Sequence, residues 1–350
     1  MTGGLQAETR HTGARRMTNN TAAAVVESRM DRETTDCTIC NSPMRQSWPS
    51  NGYCYFECPN CQFVRVAPIP EREVLKDYYD KSYEVDREGY RKNVRKYGRR
   101  DLEFLEKLNG TGRMLEVGSS WGFFLHLARQ RGWQVQGIEL SGSAVNWAKE
   151  KLGLNVTCAT IEDFPPVEGA AFDVVVAWHV IEHVQDPMGF LTMLRDRLRP
   201  GGLLALRTPN IHSLPARLNG WAWHWVGAPA HLSLFSSKSM SVAVERAGFS
   251  VRSIATRRGD AYNPVFESLR ASALRLGIHN RIKKLLKLQS TNRAEALPNG
   301  QTVKATRRAD MLRQLSRLFD VAFILLYPIE KLFEFAGGGP ELFLVAERKD

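Results

Sequence analysis

No apolar run in this 350-residue sequence approaches the roughly 18 residues that cross a bilayer; the longest candidate, VAFILLYPI at 321–329, is about half that. A membrane-spanning helix is therefore not expected. The opening stretch, MTGGLQAETRHTGARRM, lacks the apolar centre of a signal peptide, which makes a reducing cytoplasm the expected compartment. Cysteine is scarce, at six, and four of the six fall into closely spaced pairs, a pattern of metal ligation rather than of disulfides. Acidic residues are also short, 37 against 48 Lys and Arg, and the excess is uneven. Residues 269–317 carry twelve Lys or Arg against only Glu295 and Asp310, so one segment accounts for most of the net +11. A second basic stretch, REGYRKNVRKYGRR at 87–100, must then be offset elsewhere. Finally, RMLEVGSSWGFFLH at 113–126 looks like a strand-to-helix turn, yet it has neither the lysine of a phosphate loop nor the middle glycine of a dinucleotide fingerprint.

What is present is ordinary enough for a globular protein of one large or two modest domains. Residues 1–32 have no periodicity and are expected to be a disordered tail. Then comes CTICNSPMRQSWPSNGYCYFECPNC, with Cys37, Cys40, Cys58 and Cys61 in two pairs of two-residue spacing. Such knuckles point four thiolates at one tetrahedral ion, and a segment this short has too little core to fold alone. A zinc ribbon over 33–68 follows, its Zn2+ structural because four thiolates close the coordination sphere. Cys54 and Cys158 are left over and read as small buried apolar residues.

Beyond APIPERE the sequence enters a helical stretch with Tyr78, Tyr79 and Tyr83, then alternates strand and helix patterns. Strands are expected at 113–118, 133–140, 155–159, 172–179, 203–209, 249–257 and 341–348, and helices near 121–131, 141–151, 187–197 and 236–247. Between the third and fourth strands, EDFPPVEGA reads as a loop in place of a helix. Alternation of this kind predicts an α/β fold with a mainly parallel, Rossmann-like sheet of seven strands covered on both faces. The expected division is a core over 69–257, a basic helical insertion over 258–337 and a final core strand within 338–350.

Gly118 and Gly122 stand at the first strand-to-helix turn, where a missing side chain lets a ligand lie against backbone and a helix N-terminus offers free amides. Glu139, about 20 residues on and at the end of the second strand, is placed to accept both hydroxyls of an unphosphorylated ribose. Glu116 ends the first strand, which suits a ligand carrying an ammonium group rather than a pyrophosphate.

Together with ATIEDFP, FDVVVAWHVIEHVQDP, LRPGGLLALRTPN and HLSLFSSKSMSVAVERAGF, these motifs resemble the class I S-adenosylmethionine-dependent methyltransferases from about residue 100 to 255. Within them the likeness is to the ubiquinone O-methyltransferase-like branch, particularly members with an N-terminal zinc ribbon found among sugar and cell-envelope glycan methyltransferases. The resemblance implies an antiparallel last strand and S-adenosyl-L-methionine as cofactor. It places Glu116, Gly118, Ser120 and Gly122 at the methionine part, Glu139 and Leu140 at the ribose, and Thr160, Ile161 and Glu162 at the adenine edge. Ser120 departs from the family's usual glycine.

Methyl transfer needs alignment and, for a hydroxyl acceptor, a base. His179 and His183 follow the fourth strand, and His231 lies in a loop that the family folds over the acceptor. Relatives in the ubiquinone branch can hold a divalent metal with an acid, two spacers and Glu-His; HVIEH puts His179 in place of that acid, which weakens a site for Mg2+. Three roles thus stay open: His183 or His231 as base, metal-assisted catalysis, or histidines that only cap the loop or bond the cofactor, as His179 could. Trp221, Trp223 and Trp225 read equally as an acceptor lid or as packing, and the tyrosines at 78, 79 and 83 as a cofactor cover or as packing. The insertion reads as a solvated basic face, or as an interfacial helix on an anionic membrane suited to a lipid-linked acceptor.

The expected activity is methylation of a sugar, glycan intermediate or other small hydroxylated acceptor, with lipid-linked forms included. An RNA base methyltransferase and a non-catalytic binding module are the alternatives. No Asn-Pro-Pro-aromatic motif follows the fourth strand, which excludes one kind of RNA chemistry.

Overall fold

A computed structural model describes residues 36–50, 53–75, 78, 87–164, 171–257 and 338–350. The basic insertion, the N-terminal tail, Tyr79 and Tyr83 lie outside the described residues.

Seven strands form one sheet: β4 (Arg113–Val117), β5 (Gln134–Glu139), β6 (Val156–Cys158), β7 (Phe172–Trp178), β8 (Leu198–Pro209), β10 (Phe249–Arg257) and β11 (Glu341–Arg348). Their order is β10-β11-β8-β7-β4-β5-β6, and β11 runs antiparallel to both neighbours while β4 through β8 pair in parallel. β7, FDVVVAW, is a nearly unbroken apolar run, as a central strand buried on both faces requires.

One face packs Leu115, Val175, Leu204 and Leu344 against α5 (Pro187–Arg197) and α6 (Ser237–Arg246). The other packs Met114, Val174, Val176 and Phe343 against α2 (Arg99–Asn109) and α3 (Phe123–Gln130). Helix starts are marked by side-chain caps. Asp186 accepts from the amides of Met188 and Gly189 with Pro187 in the first turn, and Ser141 caps α4 (Gly142–Leu152), which ends at left-handed Gly153.

Two boundaries differ from the sequence expectation. α3 begins at Phe123 rather than 121 because Gly122 sits at φ +74°, outside helical space. β8 begins at Leu198, since the bulged LRPGG turn still pairs Leu198 with Phe172. The basic stretch at 87–100 is helical: α1 (Arg87–Asn93) runs through a π-helical turn at Val94–Gly98 into α2. Cys54 is buried as expected, but Cys158 is exposed. It stands at the C-terminal end of β6, which is an edge strand of the sheet among the described residues.

A second sheet joins β1 (Arg45–Ser50), β2 (Tyr53–Glu57) and β3 (Val64–Ala67) to β9 (Ser233–Leu234), a short strand between β8 and β10 in the chain. Val64 pairs with Leu234 and Arg65 with Ser233. Phe63 packs on Phe235 at 5.1 Å between ring centres, so the N-terminal segment and the core share apolar interior.

Candidate functional site

The cysteine segment folds as two matching knuckles. In each, the first cysteine's amide bonds the carbonyl five residues on (Cys37 to Ser42, Cys58 to Phe63, both 2.8 Å), and the residue after the second cysteine is left-handed: Asn41 at φ 60°, Gln62 at φ 69°. All four Sγ atoms lie within 4.8 Å of one another, with Cys37 to Cys61 at 3.5 Å and Cys40 to Cys58 at 3.4 Å. Four thiolates about 2.3 Å from a tetrahedral ion sit roughly 3.8 Å apart, so the set fits zinc. Among the described residues no other group is arranged to hold a metal.

At the C-terminal ends of β4 and β5 the turn over 118–122 is tied down by backbone. The amides of Gly118 and Ser119 donate to the Ile138 carbonyl at 2.9 and 3.0 Å. Gly118 and Gly122 both take φ +74°, and Ser120 takes φ 48°, a left-handed position that serine adopts at a cost of roughly 1–2 kcal/mol. A Cβ on Gly118 would stand 2.6 Å from Val180 Cγ2, so the turn abuts the loop after β7. Glu139 ends β5 with one oxygen accepting from Ser120 N and the other from Ser141 N, each at 2.8 Å. Each oxygen retains a second lone pair for a ligand hydroxyl. Leu140 beside it is 66% exposed, Ile161 is buried, and Thr160 and Glu162 lie at the surface of the turn that follows β6.

Glu116 is the exceptional group. Its side chain is fully buried, and neither oxygen has a hydrogen-bond partner among the described residues. Burial, helped by the nearby Glu139 charge, pushes its carboxyl well above the usual range. An unpaired buried acid is costly unless something supplies a positive donor. The neighbouring Ser119 hydroxyl is likewise buried without a partner.

The loop after β7 gathers the three histidines. His179, at φ 55°, places Nδ1 3.1 Å from Glu182 Oε1 and Nε2 2.8 Å from Glu341 Oε1. Burial alone would lower its pKa, but the two carboxylates outweigh this and raise it to about 10. Both ring nitrogens are thus engaged by carboxylate oxygens, an arrangement that favours the imidazolium and disfavours metal ligation. His183 and His231 face each other at 4.8 Å between ring centres. Nδ1 of His183 donates to Ala230 O and Nδ1 of His231 to Trp225 O, both at 2.8 Å, which leaves Nε2 as the basic nitrogen of each neutral ring. Burial lowers both pKa values, that of His231 to about 3. The tryptophans divide: Trp223 is core, Trp225 stacks on His179 at 5.4 Å and 7°, and Trp221 is 51% exposed.

Several participants were not singled out from sequence. Glu341 lies at the start of β11, Arg207 on β8 reaches Asp101 of α2, and Arg207 Nε stands 3.7 Å from Glu341 Oε2. Thr208 donates to the other oxygen of Glu182 at 3.1 Å. The available signal was a charge at the head of the apolar run ELFLVAER and another within LLALRTPN, which buried strands admit only when paired.

A protein-family model described as a methyltransferase domain matches residues 90–254, the span holding this turn, both acids and the histidine loop. Residues 90–254 form an S-adenosylmethionine-dependent methyltransferase domain similar to the ubiquinone O-methyltransferases. Among curated relatives, a ubiquinone biosynthesis O-methyltransferase of Bradyrhizobium is 37% identical over 116 residues, 32% of this chain and 45% of its own length. Another, from Cereibacter sphaeroides, is 28% identical over 177 residues, 48% of this chain and 70% of its own. The chain thus spans less than half of the first of these relatives. A Thermotoga maritima crystal structure, described as a SAM-dependent methyltransferase and possible histamine N-methyltransferase, is 16% identical, with 80% of this chain and 100% of that one covered at a TM-score of 0.45. In this methyltransferase core β11 is antiparallel, and among the described residues no helix is long and apolar enough to cross a membrane.

Proposed function

We propose that this protein methylates a hydroxyl of a sugar, a glycan intermediate or another small acceptor, lipid-linked forms included. The observation that carries the cofactor half is Glu116, a buried carboxyl group two residues before Gly118 with no partner among the described residues. It suits the ammonium of the methionine moiety. Gly118, Ser120 and Gly122 would pass backbone along that moiety, Glu139 and Leu140 would take the ribose, and Thr160, Ile161 and Glu162 the adenine edge. S-adenosylmethionine supplies, when bound, a methyl group made electrophilic by its sulfonium.

For the acceptor half, the likeness to ubiquinone biosynthesis O-methyltransferases supports oxygen chemistry. His183 is the better base: its Nδ1 is fixed as donor, so Nε2 can take the acceptor's hydroxyl proton, whereas His231 is too acidic, at about 3, to hold a proton near neutrality. His179 serves instead to lock Glu182 in place. Magnesium finds no support in this loop, because the cation His179 already occupies its carboxylates.

The test is titration calorimetry with S-adenosylhomocysteine. Micromolar binding, weakened more than tenfold in Glu139→Ala, is the expected result. No binding by the wild-type chain would favour the non-catalytic module.

A second reading, methylation of an RNA base, has one feature in its favour. A cleft of about 630 Å³ between α1, α3 and α4 is lined by Arg87, Arg91, Arg95 and Lys151, with Glu88 the only acid among its described lining residues. Arg87 lies over both Trp121 and Trp147, at 5.6 and 5.3 Å. Single-stranded RNA bound with a steep salt dependence would support this reading; anionic vesicles bound in its place would support the membrane-linked acceptor.

A further inference from the structure

The hydrogen bonds of β2 and β3 run to the acceptor half of the site, while the cysteine knuckles share apolar core with Val117 and Ile138 of β4 and β5. Tyr55 of β2 is fully buried, and its hydroxyl donates to the backbone carbonyl of His231 at 2.7 Å. Val66 N of β3 donates to Leu232 O at 2.9 Å, and β3 then pairs with β9, the two residues that follow. Leu232 N and Ser233 N both reach the Glu182 carbonyl, at 2.8 and 3.1 Å. Arg65 donates to Gln185 O at 2.6 Å, and Gln185 returns a bond to Pro70 O at 2.7 Å. Side chains repeat the pattern: Tyr55, Val64 and Val66 form one apolar cluster with Trp223, Val226, Leu232 and Leu234. The turn over 118–122 draws its own hydrogen bonds from β5 and Glu139 instead.

We infer that the metal-bound ribbon is the scaffold of the acceptor site, with Tyr55 as a positioning residue that holds the His231 carbonyl, and so the His183–His231 pair, in register. This rests on the acceptor-side reading of those histidines. A ribbon whose four thiolates close the coordination sphere of its metal would then govern where an acceptor sits without touching the cofactor.

The experiment compares full-length zinc-loaded protein with the same protein stripped by chelator, and with Tyr55→Phe, by amide hydrogen exchange and histidine ring NMR. Stripping should speed exchange at Leu232 and Ser233 by more than tenfold and move the ring resonances of His183 and His231. Gly118, Ser119 and the ring of His126 on α3 should stay within twofold or unshifted. Tyr55→Phe should keep one zinc per chain yet speed exchange at Ala230 and His231 by about fivefold, the weight of one net hydrogen bond. Equal loss of protection at Gly118 and Leu232 would overturn the inference, since the ribbon would then support the whole fold. Unchanged exchange in both samples would overturn it as well. Failure of wild-type protein to bind S-adenosylhomocysteine would sink the proposed activity while leaving this exchange pattern intact.

Discussion

Glu116 is fully buried and His179 half-buried, and they reach opposite states because, among the described residues, one has no partner and the other has two. For Glu116 the desolvation is uncompensated until a cation arrives. Glu116→Gln should therefore raise the midpoint of thermal unfolding at pH 8 while lowering S-adenosylhomocysteine affinity more than tenfold. A variant that loses stability and keeps affinity would remove Glu116 from the ammonium site. Ser120 presents the reverse case, a residue tolerated in backbone space that favours glycine. Ser120→Val should cost about 1–2 kcal/mol in chemical denaturation, since a β-branched side chain fits left-handed space worse still, whereas Ser120→Gly should fold at least as well.

At the scale of elements, β5 passes so closely under α3 that a side chain cannot fit between them. A Cβ on Gly137 would lie 2.6 Å from Leu125 Cδ1 and 2.9 Å from Ser119 Oγ. Gly137→Val should destabilise the protein by about 1–3 kcal/mol, read by urea denaturation. Elements such as these were largely legible in the sequence, because apolar alternation and cap residues are local: β7, α4 and α5 fall within a residue or two of expectation. The charged segment that became α1 and α2 was not, since REGYRKNVRKYGRR has little apolar periodicity of its own. At the site, the glycine turn and Glu139 were readable as motifs with known spacing. The union of β3 with β9 and the meeting of His179 with Glu341 were not, because each joins residues more than 160 positions apart, and no local pattern encodes a distant partner.

At the scale of the whole molecule, a chain of charges runs from α2 through β8 and β11 to the β7 loop: Asp101, Arg207, Glu341, His179 and Glu182. Its pH response has two limbs. His179, raised to about 10 from an ordinary 6.5, contributes stability that is complete below pH 6.5 and lost as pH rises through 10. His231, lowered to about 3, favours the fold only when neutral, so its contribution fades as pH falls from 6.5 towards 3. Glu182, lowered to about 2, adds to the acid limb as pH drops below its ordinary 4.5. Thermal midpoints should peak near neutrality, and His179→Gln should flatten the alkaline limb. An alkaline limb unchanged in that variant would place the titration elsewhere. β11 has a temporal consequence as well. It lies between β10 and β8, so the sheet cannot close during synthesis until residues 341–348 have left the ribosome. Glu341 arrives with that strand, and nascent chains arrested before it should show an unpaired β8 edge and a His179 that loses its proton at lower pH than in the complete chain.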